Sequence, residues 1–118
     1  MKKKILIVDD EEGIRESLKL ILENHYPLIL TDTPEQALEA IKNDKDIALT
    51  LLDVKMPKIN GLDVLKHVQS LRPDVKVIMV TGYRSVEIAA EASKLGASGY
   101  IVKPFKAEEI LASVKRNI

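Results

Sequence analysis

Apolar positions in this chain gather into five short runs: Ile5-Leu6-Ile7-Val8, Leu28-Ile29-Leu30, Ala48-Leu49-Thr50-Leu51-Leu52, Val77-Ile78-Met79-Val80 and Tyr100-Ile101-Val102. Strands with one wet face alternate apolar and polar residues, whereas strands covered by helices on both faces are apolar throughout. Four of the five runs are continuous, which predicts five buried strands in a mostly parallel sheet. Between the runs, apolar residues return at helical spacing, at Ile14, Leu18, Ile21 and Leu22, then Ala37, Leu38 and Ile41, then Leu65, Val68 and Leu71. Thr33-Pro34-Glu35-Gln36 supplies an N-cap, a proline at the first helical position and a glutamine at the third, the pattern of a capping box. Ser85 to about Leu95 predicts a fourth, Ala-rich helix that packs loosely, with Gly96 as its stop. Glu108-Glu109 favours a last helix starting nearby, because a helix N-terminus carries partial positive charge.

Strand–helix alternation repeated five times predicts one α/β domain over residues 1–118: a doubly wound five-stranded parallel sheet of flavodoxin-like order 2-1-3-4-5, with five helices. In such sheets ligands sit at the carboxyl ends of the strands, where the strand order reverses. Asp9, Asp10, Glu11 and Glu12 follow the first run, Asp53 the third, Thr81 and Gly82 the fourth, and Lys103, Pro104 and Phe105 the fifth.

Composition removes several function classes. The 118 residues include 18 Lys+Arg against 18 Asp+Glu and no cysteine. Disulfide scaffolds, thiolate metal sites and thiol nucleophiles are excluded, and a cytoplasmic setting is expected. No apolar run approaches the roughly 20 residues that span a bilayer, and the basic start Met1-Lys2-Lys3-Lys4, taken as a solvated edge, precedes only four apolar residues. No membrane partner is expected. Balanced charge and scattered aromatics (Tyr26, Tyr83, Tyr100, Phe105) give no basis for nucleic-acid binding by this domain alone. His25 and His67 have no partners at ligand spacing and are expected at the surface or in packing.

The strand-end residues carry the chemistry. In the chosen order strands 1 and 3 are neighbours, so Asp9, Asp10 and Asp53 crowd together, and either some protonate or a hard divalent cation neutralises them. Mg²⁺ is the expected ligand. The same acidic turn argues against dinucleotide or flavin phosphates, which need glycines and free backbone N–H groups there. A carboxylate beside such a cation, with a lysine and a hydroxyl adjacent, has the parts of a phosphoryl acceptor: Asp53 as nucleophile, Thr81 donating to a phosphoryl oxygen and Lys103 offsetting charge.

With these residues in place, the chain from Lys4 to about Val114 resembles a receiver domain of the two-component response-regulator family. The likeness rests on Ile7-Val8-Asp9-Asp10-Glu11, on Leu51-Leu52-Asp53-Val54-Lys55-Met56-Pro57-Lys58-Ile59-Asn60-Gly61, on Val80-Thr81-Gly82-Tyr83 and on Tyr100-Ile101-Val102-Lys103-Pro104-Phe105. It implies Asp53 as phosphorylation site, and Asp10, Asp53 and the Lys55 carbonyl as Mg²⁺ ligands with Asp9 acting mainly through water. It further implies Thr81 and Tyr100 as switch residues, and Lys103 as partner of the acyl phosphate, held by a peptide to Pro104 that is usually cis. Lys55 and Tyr83 occupy positions that tune acyl-phosphate hydrolysis, and their bulk and charge predict hindered water access and a long-lived phosphoryl group. Asn60 stands where many receivers carry Asp, a change expected to affect the loop and not the competence of the site.

The implied partners are a sensor histidine kinase or histidine phosphotransfer protein upstream and an effector domain or protein downstream, with phosphorylation-dependent homodimerisation through the face of helices 4 and 5 left open. Two other readings compete with this one. A phosphate-independent interaction module on the same fold would have no need of the intact acidic pocket. A Mg²⁺-dependent aspartyl phosphatase would place an Asp two residues after the nucleophile, where Lys55 stands.

Overall fold

The computed structural model describes residues 3–118, so the expectation for Lys2 lies outside the described residues. The elements run β1 (Lys4–Val8), α1 (Glu12–Leu22), β2 (Leu28–Thr31), α2 (Pro34–Asn43), β3 (Ile47–Leu52), α3 (Gly61–Leu71), β4 (Lys76–Thr81), α4 (Val86–Lys94), β5 (Gly99–Val102) and α5 (Ala107–Asn117). All strands pair in parallel, in the order β2-β1-β3-β4-β5. That is the expected doubly wound sheet.

The continuous apolar runs exist because alternate residues of each strand enter different cores. Leu6, Val8, Leu52, Val77 and Met79 pack with Ala37 and Ile41 of α2, with Val64, Leu65 and Val68 of α3, and with Ala92 of α4. Ile5, Ile7, Leu49, Leu51, Ile78 and Val80 pack on the opposite face with Leu18 and Leu22 of α1 and Ile110 and Val114 of α5. The expectation of five buried strands holds for the central three. The edge strands β2 and β5 are only half covered, and Leu30 on β2 is 38% exposed, since an edge strand has a neighbour on one side alone. Leu71, counted above on the inner stripe of α3, is exposed at the helix end, and Val64 takes a place in the core.

The helix ends follow local chemistry, with one difference from expectation. The Thr33 hydroxyl accepts from the Gln36 N–H at 3.2 Å, but the Gln36 side chain reaches the N–H of Asp32 instead of that of Thr33. Ser85 caps α4 through the Ile88 N–H, and Glu109 accepts from the Lys106 N–H at the start of α5. α4 buries only Ala92 fully, with Val86 left 81% exposed, so it rests lightly on the sheet as anticipated. Gly96, at φ +104, closes it.

Two contacts tie distant segments together. Lys4 is not simply a solvated lysine: its ammonium lies 2.7 Å from Asp44. The Arg72 guanidinium donates to the carbonyls of Ile41, Asp44, Lys45 and Ile47 and pairs with Asp74, so the end of α3 clasps the connection between α2 and β3.

Candidate functional site

Strand register assembles the site. Val8 pairs with Leu52, so the next residues, Asp9 and Asp53, emerge side by side, and the ladder continues through the Asp53 N–H to the Val8 carbonyl. Thr81 pairs with Val102, and the Lys103 N–H donates to the Thr81 carbonyl at 2.8 Å, which places Lys103 beside the hydroxyl. Neighbouring parallel strands lie about 4.8 Å apart, close enough for their end side chains to meet.

Asp9, Asp10 and Asp53 each present a carboxylate oxygen within 4.8 Å of the others, with Asp9 and Asp53 buried and Asp10 exposed. The Lys103 ammonium donates to Asp9 at 2.9 Å, to Asp53 at 3.2 Å and to Glu11 at 3.2 Å, using all three of its hydrogens. Protonation or a metal ion is not the sole means of neutralising these carboxylates. In this structure Lys103 also acts as an internal counter-charge.

Burial pushes the Asp9 carboxyl above its ordinary range, against the opposing pull of the Glu11 N–H and of Lys103. Burial works to lower the Lys103 pKa, but the hydrogen bond from its ammonium to Asp9 and the charges of Asp9 and Asp53 outweigh it, and the pKa is raised. The lysine therefore stays charged at neutral pH.

Backbone geometry fixes the phosphoacceptor candidate. The Asp9 carboxylate accepts the Glu11 N–H at 2.9 Å, and Arg15 donates to the Asp9 carbonyl at 2.9 Å. Asp53 accepts the Lys55 N–H at 3.3 Å. The Gly61 N–H donates to the Val54 carbonyl at 2.7 Å, and a Cβ at Gly61 would fall on the Asp53 carbonyl oxygen and within 2.7 Å of Val54 Cα. Only glycine allows α3 to start this close behind Asp53. Asn60 caps α3 through the Leu62 N–H, so its role here is in the loop.

Of the remaining candidates, Thr81 is fully buried at the end of β4, and its hydroxyl oxygen accepts from the Tyr83 N–H at 3.4 Å. Asp10, Lys55 and Tyr83 line the open cleft above Asp53, together with Glu11, Met56, Pro57, Gly82 and Lys103. Tyr100 is half buried, and its hydroxyl donates to the Tyr83 carbonyl at 2.9 Å, bridging β5 to the β4–α4 connection. Burial, and then the Asp53 charge, raise the Tyr100 phenol pKa. The Lys103–Pro104 peptide is cis. His25 and His67 are exposed. The contact that sequence reasoning missed is Glu11 to Lys103; its only signal was an acidic residue at a helix start, for which charge–dipole attraction is a sufficient reason.

The family model described as "Response regulator receiver domain" matches residues 5–115. The chain belongs to that family. This receiver domain is 38% identical over 116 residues to "Response regulator MprA" of Mycobacterium ulcerans, covering 98% of this chain and 50% of the relative. The chain thus spans about half the length of the curated relatives it matches. A CheY-like receiver domain protein from Methanospirillum hungatei superposes with a TM-score of 0.92 at 38% identity, over 98% of this chain and 93% of that one. A response regulator from Burkholderia pseudomallei, described as having a phosphorylated aspartic acid, a calcium ion and citrate, superposes with a TM-score of 0.87 at 30% identity, over 95% of this chain and 66% of that one. The chain is a receiver domain of a two-component response regulator, and the acidic pocket of Asp9, Asp10 and Asp53 is consistent with a phosphoacceptor site. None of the described helices is long and apolar enough to cross a membrane.

Proposed function

We propose that this receiver accepts a phosphoryl group on Asp53 from a partner phosphohistidine, presented by a sensor histidine kinase or a phosphotransfer protein. An Asp53 carboxylate oxygen attacks phosphorus, the P–N bond breaks, and its electron pair returns to the histidine nitrogen. Phosphoryl transfer demands mainly positioning and charge neutralisation. The Lys103 ammonium and the Thr81 hydroxyl, at adjacent strand ends, supply donors for the phosphoryl oxygens. The three converging carboxylates fit a hard divalent cation, Mg²⁺, which Asp10, Asp53 and the Lys55 carbonyl would hold, with Asp9 acting through water. Such a cation supplies neutralisation of the phosphoryl charge.

The observation that carries this reading is Lys103: one ammonium spans the two buried carboxylates at the mouth of an open cleft. Once Asp53 is phosphorylated, Lys103 shifts toward the phosphoryl group, Thr81 follows, and Tyr100 and the lightly held α4 report the change to an effector domain or protein. The domain acts as a switch that promotes its own phosphorylation and slow dephosphorylation in the cytoplasm, and it comprises residues 1–118. Lys55 and Tyr83, both exposed over the cleft, hinder water, so the acyl phosphate outlasts seconds; decay within seconds would refute that part.

The test is intact mass after incubation with acetyl phosphate, with and without Mg²⁺, beside Asp53→Asn. One Mg²⁺-dependent phosphoryl adduct, missing from the variant, is expected. No adduct from folded, Mg²⁺-bound protein would instead favour the phosphate-independent interaction module.

A further inference from the structure

Lys103 has three hydrogens to give and three carboxylates to give them to. Two of these, Asp9 and Asp53, are 2% and 4% exposed and belong to the pocket, whereas the Glu11 side chain is 62% exposed and stands outside the acidic triad. Glu11 enters through its position in the chain: its own N–H is held by the Asp9 carboxylate at 2.9 Å, which turns the α1 start so that its side chain faces Lys103. The residue therefore touches the site twice, once as donor to Asp9 and once as acceptor from Lys103.

We propose that Glu11 is a positioning residue that tethers Lys103 at the rim of the cleft and, by competing for its ammonium, restrains phosphoryl transfer to Asp53. The inference rests on the phosphoacceptor reading above. During transfer the incoming group brings negative charge to the place that Lys103 must serve. A lysine shared with Glu11 has one hydrogen and part of its charge committed elsewhere, and the Glu11 carboxylate, lining the same cleft, adds repulsion toward an anionic donor. Neutralising Glu11 frees the third hydrogen and removes that repulsion. The pair is solvent-exposed on the Glu11 side, so the effect is small: about two- to fivefold in rate, the range expected of an exposed ion pair.

The experiment compares wild type, Glu11→Gln and Glu11→Asp in the 118-residue chain, following adduct formation from acetyl phosphate with Mg²⁺ by intact mass as KCl is raised. Glu11→Gln is expected to react about two- to fivefold faster at low salt. The advantage should shrink toward unity near 1 M, where the Debye length is about 3 Å. Glu11→Asp, which keeps the charge, should stay closer to wild type. An equal or slower rate in Glu11→Gln, or an advantage that salt leaves unchanged, would overturn the proposal. A second readout needs no phosphoryl chemistry: the Lys103 Nζ resonance of the resting protein should move in Glu11→Gln, and a fixed resonance would overturn the tether by itself. Wild-type protein that takes no phosphoryl group refutes the phosphoacceptor reading and, with it, the restraint on rate, while the resonance still decides the tether.

Discussion

Lys103→Met removes the ammonium that joins Asp9, Asp53 and Glu11 while leaving an apolar stem of similar length. The two buried carboxylates then share one pocket without their internal cation. Removing one partner of a buried ion pair costs about 3–5 kcal/mol. Here the loss should fall at or below the bottom of that range, about 2–3 kcal/mol, because the cleft is open and Asp9 and Asp53 keep the backbone donors of Glu11 and Lys55. Against a total stability of roughly 5–15 kcal/mol this is easily measured. Urea denaturation at pH 7 with a chelator present should show a lower midpoint with an unchanged slope.

Two further readouts tie that loss to charge. Added Mg²⁺ should restore more stability to the variant than to wild type, since in the variant the cation meets Asp9 and Asp53 without a competing ammonium; a ligand at about 100 times its Kd contributes about 2.7 kcal/mol. The pH dependence has a definite sign. Burial raises Asp9 above its unfolded value, and losing Lys103 raises it further, so the folded state gains stability from protonation. That gain is full below the ordinary carboxylate range and is lost as pH rises through the raised Asp9 pKa. The deficit of Lys103→Met should therefore narrow on acidification. A variant as stable as wild type in chelator, or one whose deficit ignores both Mg²⁺ and pH, would refute the account of Lys103 as the resting counter-charge.

Gly61→Ala forces a Cβ into the Asp53 carbonyl and Val54 Cα, so it should cost about 1–3 kcal/mol in denaturation and also slow adduct formation at Asp53. Thr50 lies in the β3 ladder between Leu6 and Val77, and its buried hydroxyl finds no hydrogen-bond partner among the described residues. Thr50→Val should raise stability by about 1 kcal/mol and leave the phosphorylation rate unchanged, both checked on the same preparation. The hydrogen bond from Lys4, then that from the Asp46 N–H, hold the Asp44 carboxyl below its usual value, so its contribution is present above the unfolded pKa near 3.9 and is lost as pH falls through the folded one. Asp44→Asn should thus be less stable than wild type at pH 7, with the two acid-denaturation curves converging below about pH 4.

The hydrophobic pattern was enough to place five strands and the first three helices, because each inner strand must bury both faces; stop and charge signals at Gly96 and Glu108-Glu109 supplied the last two, and the order 2-1-3-4-5 was chosen among doubly wound sheets and is the one observed. It was also enough to bring Asp9, Asp53, Thr81 and Lys103 to one edge, since residues directly after parallel strands share an end of the sheet. Periodicity carries no information about partners across the fold. Arg72 looked like an ordinary charged residue after a helix, yet its guanidinium gathers four carbonyls from a segment about 30 positions earlier, a set that exists only once α2 and α3 lie side by side. Gly61 read as helix-entry geometry; the closeness of the Asp53 backbone is the reason it must be glycine. Tyr100 could be named, but its bond to the Tyr83 carbonyl depends on where the β4–α4 connection travels.

The sheet and the residue types at its functional edge were legible in the linear pattern, both being consequences of local period and parallel register. How those charges share one another, with Lys103 divided among Asp9, Asp53 and Glu11, emerges only from the packed fold. Such sharing turns on distances of about 3 Å between side chains from different strands and loops, and a linear pattern of polar and apolar positions does not encode distances of that kind.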